Sequence, residues 1–381
     1  MKPIYMDYAA TTPVRSEVRD AMLPMLEERF GNPSSTHRWG REARAILEHA
    51  RARLAAVLGV SPIEIIFTRG GTEADNLALL GRARTSPDAP VVCSAIEHKA
   101  ILATARAAEA GGTELHVLPV DRSGTVDHST LPDILRREPS VVSVMWANNE
   151  VGAIQPVLEI ATQCADAGVA FHTDAVQALG KIRIRLDELP VSLLSISAHK
   201  IGGPKGVGAL FIRRGTEISP MIFGGGHERG LRAGTEDVAG AVGFATAIEL
   251  AEREREQTVV RLGALRDRLE AALRERVPDL VVNAESAERL PTILNVTVPG
   301  ADSEALLLTL DLQGIAVSSG SACSSGAVEP SHVLTSMGIS PDMAGPSLRF
   351  SLGHETTDDE ISHVISVFPQ IVERLREMSA R

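Results

Sequence analysis

Lysine is scarce in this 381-residue chain, and Lys200 stands where an amine can do covalent work. It lies in SISAHKIGGPKGVGAL, directly after an apolar run that reads as a strand and before a glycine-rich turn. Ligands of open α/β sheets bind outside the carboxyl ends of the strands, so the position suits an amine that bonds a carbonyl cofactor. Such a lysine needs a lowered pKa, which burial and nearby cationic character supply. Asp174, in AFHTDAVQALG, also follows a strand pattern, where a carboxylate can keep a proton on a pyridine nitrogen. A third segment, TRGGTEADN at 68–76, joins a strand end, two glycines and a helix start whose free N–H groups and dipole suit a phosphate. Singly, each has an ordinary alternative: a loop lysine, a helix-capping Asp, a common Gly-Gly turn. Together they give phosphate cradle, ring partner and lysine in that order, each at a strand's C-terminal end. That order is what a pyridoxal 5'-phosphate (PLP) site requires. No GxxxxGK[ST] loop is present, and no GxGxxG follows a strand.

The three cysteines divide by surroundings. Cys93 falls in the apolar run VVCSA and Cys164 in the helical stretch LEIATQCADAG, and both read as small core hydrophobes. Cys323 stands in SSGSACSSGAVEP, among Gly, Ser and Ala that cannot anchor a core and that favour a mobile, exposed loop. A thiol there is available to react. No CxxC pair and no tight Cys/His cluster occurs, so no metal site is expected, and unpaired thiols suit a reducing compartment.

These residues need a frame. Apolar runs at 63–67, 91–95, 115–120, 141–146, 169–173 and 193–197 alternate with segments of helical spacing, such as SEVRDAMLPMLEERF and EARAILEHARARLAAVLG. Their β-branched, near-continuous hydrophobicity suits strands buried on both faces of a parallel sheet with crossover helices. GALFIRR (208–214) follows 193–197 too closely for a crossover, so that pairing is expected to be antiparallel or not between direct neighbours. Residues 236–277 read as one long helix or two, leading to a smaller α+β domain with strands in TILNVTV, IAVSS and LRFSL. Thr357 and Glu360 fit a capping box at the start of the last helix, and Pro369 is expected to kink or interrupt it. The domain division is set at 14–257 for the large domain, with 1–13 and 258–381 forming the small one. The 44% hydrophobic, 23% charged composition is that of a soluble globular protein. A net charge of −11 and 3% aromatics disfavour direct nucleic-acid binding. The first residues lack a basic start and a signal-length apolar stretch, and no run is long enough to span a membrane, so a cytoplasmic protein is expected.

MDYAATTPV, GNPSSTHRWG, TRGGTEADNLAL, IEHKAIL, NNEVGAIQP, HTDAVQALGK, SAHKIGGPKGVGALF, GGGHERGLRAGTED, SSGSACSSGAVEPSHVL and LRFSLG together resemble the NifS/IscS-type cysteine desulfurases of the class V PLP-dependent aminotransferase superfamily. The resemblance runs nearly end to end. It implies an aspartate-aminotransferase-like α/β large domain with a mostly parallel sheet, and conversion of L-cysteine to L-alanine with the sulfur held as a persulfide on Cys323. By the same resemblance Lys200 tethers the cofactor, Asp174 meets the pyridine nitrogen, and His98 stacks on the ring and shuttles protons. Gln177 and Asn149 contact the ring oxygen or its vicinity, though sequence leaves open whether Asn148 or Asn149 faces the cofactor. Gly71, Thr72, Ser197 and His199 hold the phosphate, with Thr235 reaching across from a second subunit of a homodimer. Arg349 clamps the substrate carboxylate, and a sulfur-acceptor or scaffold protein is the partner. Several of these residues have structural alternatives: His98 as a satisfied strand-end histidine, Arg349 as the partner of a structural carboxylate, Thr235 as the cap of the following helix. Two chemical alternatives stay open, namely a selenocysteine lyase or other class V enzyme, and a catalytically silent sulfur carrier. Two mild departures from the family pattern occur, Ala198 for a glycine and Arg69 for a serine.

Overall fold

The computed structural model describes residues 3–319 and 330–379. Its strands are β1 (Ile4–Tyr5), β2 (Ile65–Thr68), β3 (Val91–Ser94), β4 (Leu115–Leu118), β5 (Val141–Ser143), β6 (Phe171–Asp174), β7 (Leu193–Ser197), β8 (Gly208–Ile212), β9 (Val281–Val282), β10 (Ile293–Thr297), β11 (Ile315–Ala316) and β12 (Ser347–Ser351). Its α-helices are α1 (Ser16–Glu27), α2 (Arg38–Leu58), α3 (Gly71–Thr85), α4 (Lys99–Ala110), α5 (Leu131–Leu135), α6 (Val157–Asp166), α7 (Val238–Arg276), α8 (Ser303–Leu312), α9 (His332–Ser336), α10 (Pro341–Ala344) and α11 (Asp358–Ser379).

Seven strands form the main sheet in the order β2-β8-β7-β6-β5-β3-β4. The pairings from β7 through to β4 are parallel, whereas β8 runs antiparallel to both β7 and β2. GALFIRR is therefore both antiparallel and a direct neighbour, because the short turn after Lys200 leaves the chain only the option of folding back. Every residue of β2, β3, β5, β6, β7 and β8 is buried, which is why these strands read as continuous apolar runs. One face of the sheet packs Ile66, Cys93 and Leu210 against Leu77 of α3 and Ile101 of α4. The other packs Phe67, Val92 and Phe171 against Leu54 of α2, Ile160 of α6 and Phe244 of α7.

The long helical pattern is a single 39-residue helix, α7. Its first half, with Phe244 and Ile248, belongs to the core beside the sheet. Its second half places Leu262, Leu265, Leu269 and Leu273 in another core with Ile4, Met6, β10, β12 and α11. One rigid element thus serves both apolar clusters. Thr357 and Glu360 make the reciprocal capping bonds, Thr357 N to Glu360 Oε2 at 2.9 Å and Glu360 N to Thr357 Oγ1 at 3.2 Å. Contrary to expectation, α11 runs unbroken through Pro369. Ile361, Phe368 and Val372 are buried on one side of the helix, with Phe368 edge-on to Phe350 at 5.6 Å, and this packing outweighs one lost backbone bond. Among the described residues, no helix is long and apolar enough to cross a membrane.

The GGGHERGLRAGT segment is held by a buried ion pair. Arg51 donates to both Glu228 oxygens, at 2.7 and 2.8 Å, and Phe67 N donates to the same carboxylate at 2.9 Å. The side chains are 3% and 2% exposed, so neither charge has water to fall back on. Glu228 and Arg229 take φ of 44° and 59°, a left-handed conformation that these contacts hold in place. Glu228→Ala is expected to cost about 2–3 kcal/mol in urea unfolding, since it removes the two short bonds to the buried Arg51 guanidinium and leaves it Glu48 and the Ile65 carbonyl. A loss within the range of surface substitutions contradicts the latch.

Candidate active site

The three segments singled out by chemistry converge at the C-terminal ends of the parallel strands. Lys200 closes a single 3₁₀ turn, Ala198–Lys200, directly after β7. Its Nζ donates to the carbonyls of Ala9 (2.6 Å) and Ala10 (2.8 Å). Burial, with the Arg349 guanidinium beside it, pushes the Lys200 ammonium down to about 8. A substantial neutral fraction near physiological pH follows, as a nucleophilic or proton-accepting amine requires. Asp174 is the last residue of β6 and is buried, with Oδ1 accepting from Val176 N at 2.8 Å. It is not a helix cap. Burial pushes its carboxyl up, while the His98 and Lys200 charges pull the other way.

β2 delivers the chain to Gly70, whose φ of 143° only glycine adopts readily, and α3 starts at Gly71. No side chain caps this N-terminus, so its first N–H groups are open to an anion. A Cβ on Gly71 would stand 2.9 Å from Val176 Cγ2, so glycine is also needed for close packing on the loop after Asp174. Thr72, Ser197 and His199 line the same cavity. His199 Nδ1 sits 3.1 Å from Thr11 Oγ1, and burial, with Lys200 beside it, pushes its pKa down to about 4, leaving a neutral ring.

The opposite wall carries His98, Asn149 and Arg349. His98 Nδ1 accepts from Ala100 N at 3.1 Å and so caps α4, while the ring faces the cavity; the structural and functional readings coexist. Asn149 lines the cavity, whereas Asn148 is buried, donates to Ile96 O after β3, and accepts from Glu150 N and Val151 N in its own loop. That resolves which of the pair faces inward. Gln177 donates to Ala9 O at 2.9 Å and leaves its Oε1 buried without a partner. Arg349, in the middle of β12, donates to Asn149 O (2.8 Å) and to Asp7 Oδ1 (2.7 Å), with its Nε unpartnered. Asp7 was not singled out from sequence. MDYAATTPV carries it, but its partner lies 342 positions away, a contact no local pattern reveals.

Two expected site residues remain. Thr235 is exposed in the loop before α7 and does not line this cavity; the cap of α7 is Asp237, which accepts from Gly240 N at 2.8 Å. Cys323 lies outside the described residues. Cys93 and Cys164 are buried, and burial pushes both thiols up to about 12. Among the described residues no group of His, Cys, Asp and Glu is arranged to hold a metal ion.

The cavity encloses about 470 Å³. An uncapped helix N-terminus for a phosphate, a buried carboxylate for a ring nitrogen, an orphaned amide oxygen for a ring hydroxyl and a low-pKa amine all open into it, and these donors and acceptors fit PLP. Fold and site together define a PLP-dependent enzyme of the aminotransferase type.

Comparison with known proteins agrees. The family described as Aminotransferase class-V matches residues 4–364. The protein named cysteine desulfurase IscS from Dictyoglomus turgidum is 46% identical over 380 residues, covering 99% of this chain and 96% of that protein. A solved NifS-like protein superposes with a TM-score of 0.92 at 37% identity, covering 98% of this chain and 100% of its own. A structure described as SspA in complex with cysteine superposes with a TM-score of 0.80 at 34% identity, covering 92% and 98%. The chain belongs to the class V aminotransferase family, within its cysteine desulfurases of the NifS/IscS type. It is a PLP enzyme.

Proposed function

We propose that this cysteine desulfurase works with Lys200 as tether and base, Asp174 as partner of the ring nitrogen, Arg349 as clamp of the substrate carboxylate and Cys323 as sulfur acceptor. The convergence of a low-pKa amine, a buried carboxylate and an uncapped helix N-terminus on one cavity carries the reading. When bound, PLP supplies an electron sink that stabilises negative charge at the substrate Cα. The chain's residues do the rest. Gly71, Thr72, Ser197 and His199 would hold the phosphate, and His98 would face the ring. Asn149 and Gln177 would orient the ring oxygen, and Asp174 would keep a proton on the pyridine nitrogen. Arg349, with its free Nε, accepts the cysteine carboxylate in place of part of its bond to Asp7. The neutral Lys200 amine takes the Cα proton, and the Cys323 thiolate attacks the substrate sulfur: the S–S bond of the persulfide forms as the substrate Cβ–S bond breaks, the electron pair of that bond stays with the substrate carbon, and protonation at Cβ and Cα releases L-alanine.

The placement of the chain on either side of Cys323 supports its role. Ser318 pairs through its backbone with Arg349 (2.7 and 3.2 Å), and His332 Nε2 sits 2.9 Å from Glu97 O beside His98. Cys323 is five positions beyond Ser318, a reach of at most about 18 Å at about 3.6 Å per residue.

A second subunit completes the site in this reading. The wall at Thr72, Ser197 and His199 opens into a further cavity of about 760 Å³ that Met221, Ile222 and Leu231 also line, and neighbouring Phe223 is 77% exposed. Thr235 of one subunit reaches the phosphate of the other. The persulfide passes to an acceptor or scaffold protein serving sulfur-containing biomolecules such as iron–sulfur clusters. The large domain spans 14–257, and 1–13 with 258–381 form the small one. Buried unpaired Cys93 and Cys164 fit a cytoplasmic protein.

Asp174→Asn tests the assignment. The amide is isosteric but cannot hold the pyridinium proton, so the variant should fold, bind PLP and release alanine from cysteine about 10²-fold more slowly or worse. Normal alanine release with PLP bound overturns it.

A further inference from the structure

The floor of the cavity holds a carboxyl that the chemistry above does not use. Asp75 lies on α3, just after the turn that faces the phosphate position, and is 1% exposed. Its Oδ1 has no hydrogen-bond partner and stands 3.8 Å from His172 Nε2. The Ser195 side chain beside it favours the ionised form of the Asp75 carboxyl. Behind it, His172 lies between Ser195 Oγ (Nε2, 3.0 Å) and Ser143 Oγ (Nδ1, 2.8 Å). Burial pushes His172 down to about 3, so its ring is neutral and carries one N–H.

The charged groups facing Asp75 are themselves carboxyls, Asp174 from β6 and Glu97 from the segment before α4. Glu97 accepts from Ser94 Oγ (2.6 Å) and Met145 N (2.7 Å), leaves Oε2 unpartnered, and is pushed up to about 8 by burial, so it is mostly neutral at pH 7. Asp174 differs. It lies beside Lys200, whose charge favours its ionised form, and accepts a backbone N–H. Adjacent carboxylates in a dry seam do not both ionise, and the one with a cation and a hydrogen-bond donor beside it keeps the charge. Burial, then Asp174, raise the Asp75 pKa well above the ordinary range.

We propose that Asp75 is a positioning residue that stays protonated in the working enzyme, so that Asp174 alone carries negative charge beneath the cofactor ring. This rests on Asp174 as the ring-nitrogen partner. A proton on Asp75 spares its orphaned Oδ1 a buried, unpartnered negative charge, and leaves Asp174 to hold the pyridinium without sharing its field with a second anion. Raising the pH through the Asp75 titration puts that second charge in place and perturbs the ring.

Carbon NMR of holoenzyme labelled at the aspartate side-chain carboxyls reads the proton directly. At pH 7 one aspartate should remain in the protonated range, and that signal should be lost in Asp75→Asn. The same variant should also lose the alkaline shift in the bound cofactor's absorbance. Ser195→Ala, which removes the hydroxyl that favours the ionised form, should move the signal's titration to higher pH and covers the case in which Asp75→Asn does not fold. Ionisation of every aspartate at pH 7, survival of the protonated signal in Asp75→Asn, or an unmoved titration in Ser195→Ala overturns the proposal. Failure of the Asp174 assignment shows separately, as normal alanine release by Asp174→Asn.

Discussion

Lys200→Ala should abolish turnover, with alanine release from cysteine falling by at least about 10³-fold, in the upper part of the range for a positioned acid or base. The loss is large because tether and base are one amine. The variant should still take up PLP, since the α3 N-terminus, Asp174 and His98 are untouched by the change. Borohydride reduction separates the two functions: it should fix the cofactor to the Lys200 peptide of the wild-type chain and to no peptide of the variant. Lys181 is the rival amine to watch. Burial, with Lys200 nearby, pushes its ammonium down to about 7, so it is also partly neutral. It lines a separate small cavity behind Lys200, however, and not the one that holds Asp174. Cofactor trapped on Lys181, or a variant that releases alanine at the wild-type rate, contradicts the assignment.

Cys323→Ser should produce the other large effect, and a different phenotype. PLP binds as before, and L-cysteine still perturbs its absorbance, because the helix N-terminus, Asp174, His98 and Arg349 supply cradle, ring contacts and clamp. What is lost is the nucleophile. A thiol titrates near about 8.5, whereas a serine hydroxyl is barely ionised at neutral pH. Alanine and sulfide formation should fall by about 10²-fold or more, with no persulfide on the protein. Cys93→Ser and Cys164→Ser should retain turnover wherever they fold, since thiols pushed up to about 12 offer almost no thiolate near neutrality. Substrate-dependent spectral change without turnover is the signature that separates sulfur transfer from cofactor chemistry.

Much of this site was legible in the chain because its parts sit where sequence punctuates structure. Lys200, Asp174 and the 68–76 turn each follow a strand buried on both faces, and such strands read as plain apolar runs. Glycines at 70 and 71 mark a backbone that side chains would obstruct. What sequence hid depends on contacts between distant residues. Asp7 meets Arg349 across almost the whole chain, and Arg51 meets Glu228 across 177 positions. Asn148 and Asn149 have the same chemistry, and only the loop geometry turns one outward. Asp75 and Glu97 looked like any acidic residues beside a helix start. Their burial shows only when the helices are laid on the sheet. Pro369 was misread because local rules weigh one missing N–H, while tertiary packing weighs a whole buried helix face.

The account turns on where the sulfur goes. Mass spectrometry of peptides from the purified holoenzyme, taken after a brief incubation with L-cysteine and blocking of free thiols, decides it. One extra sulfur atom should be found on the peptide carrying Cys323, sensitive to thiol reductants and formed together with alanine. Extra sulfur on the Cys93 or Cys164 peptide, or alanine formed over a first turnover with Cys323 unmodified, would contradict the account.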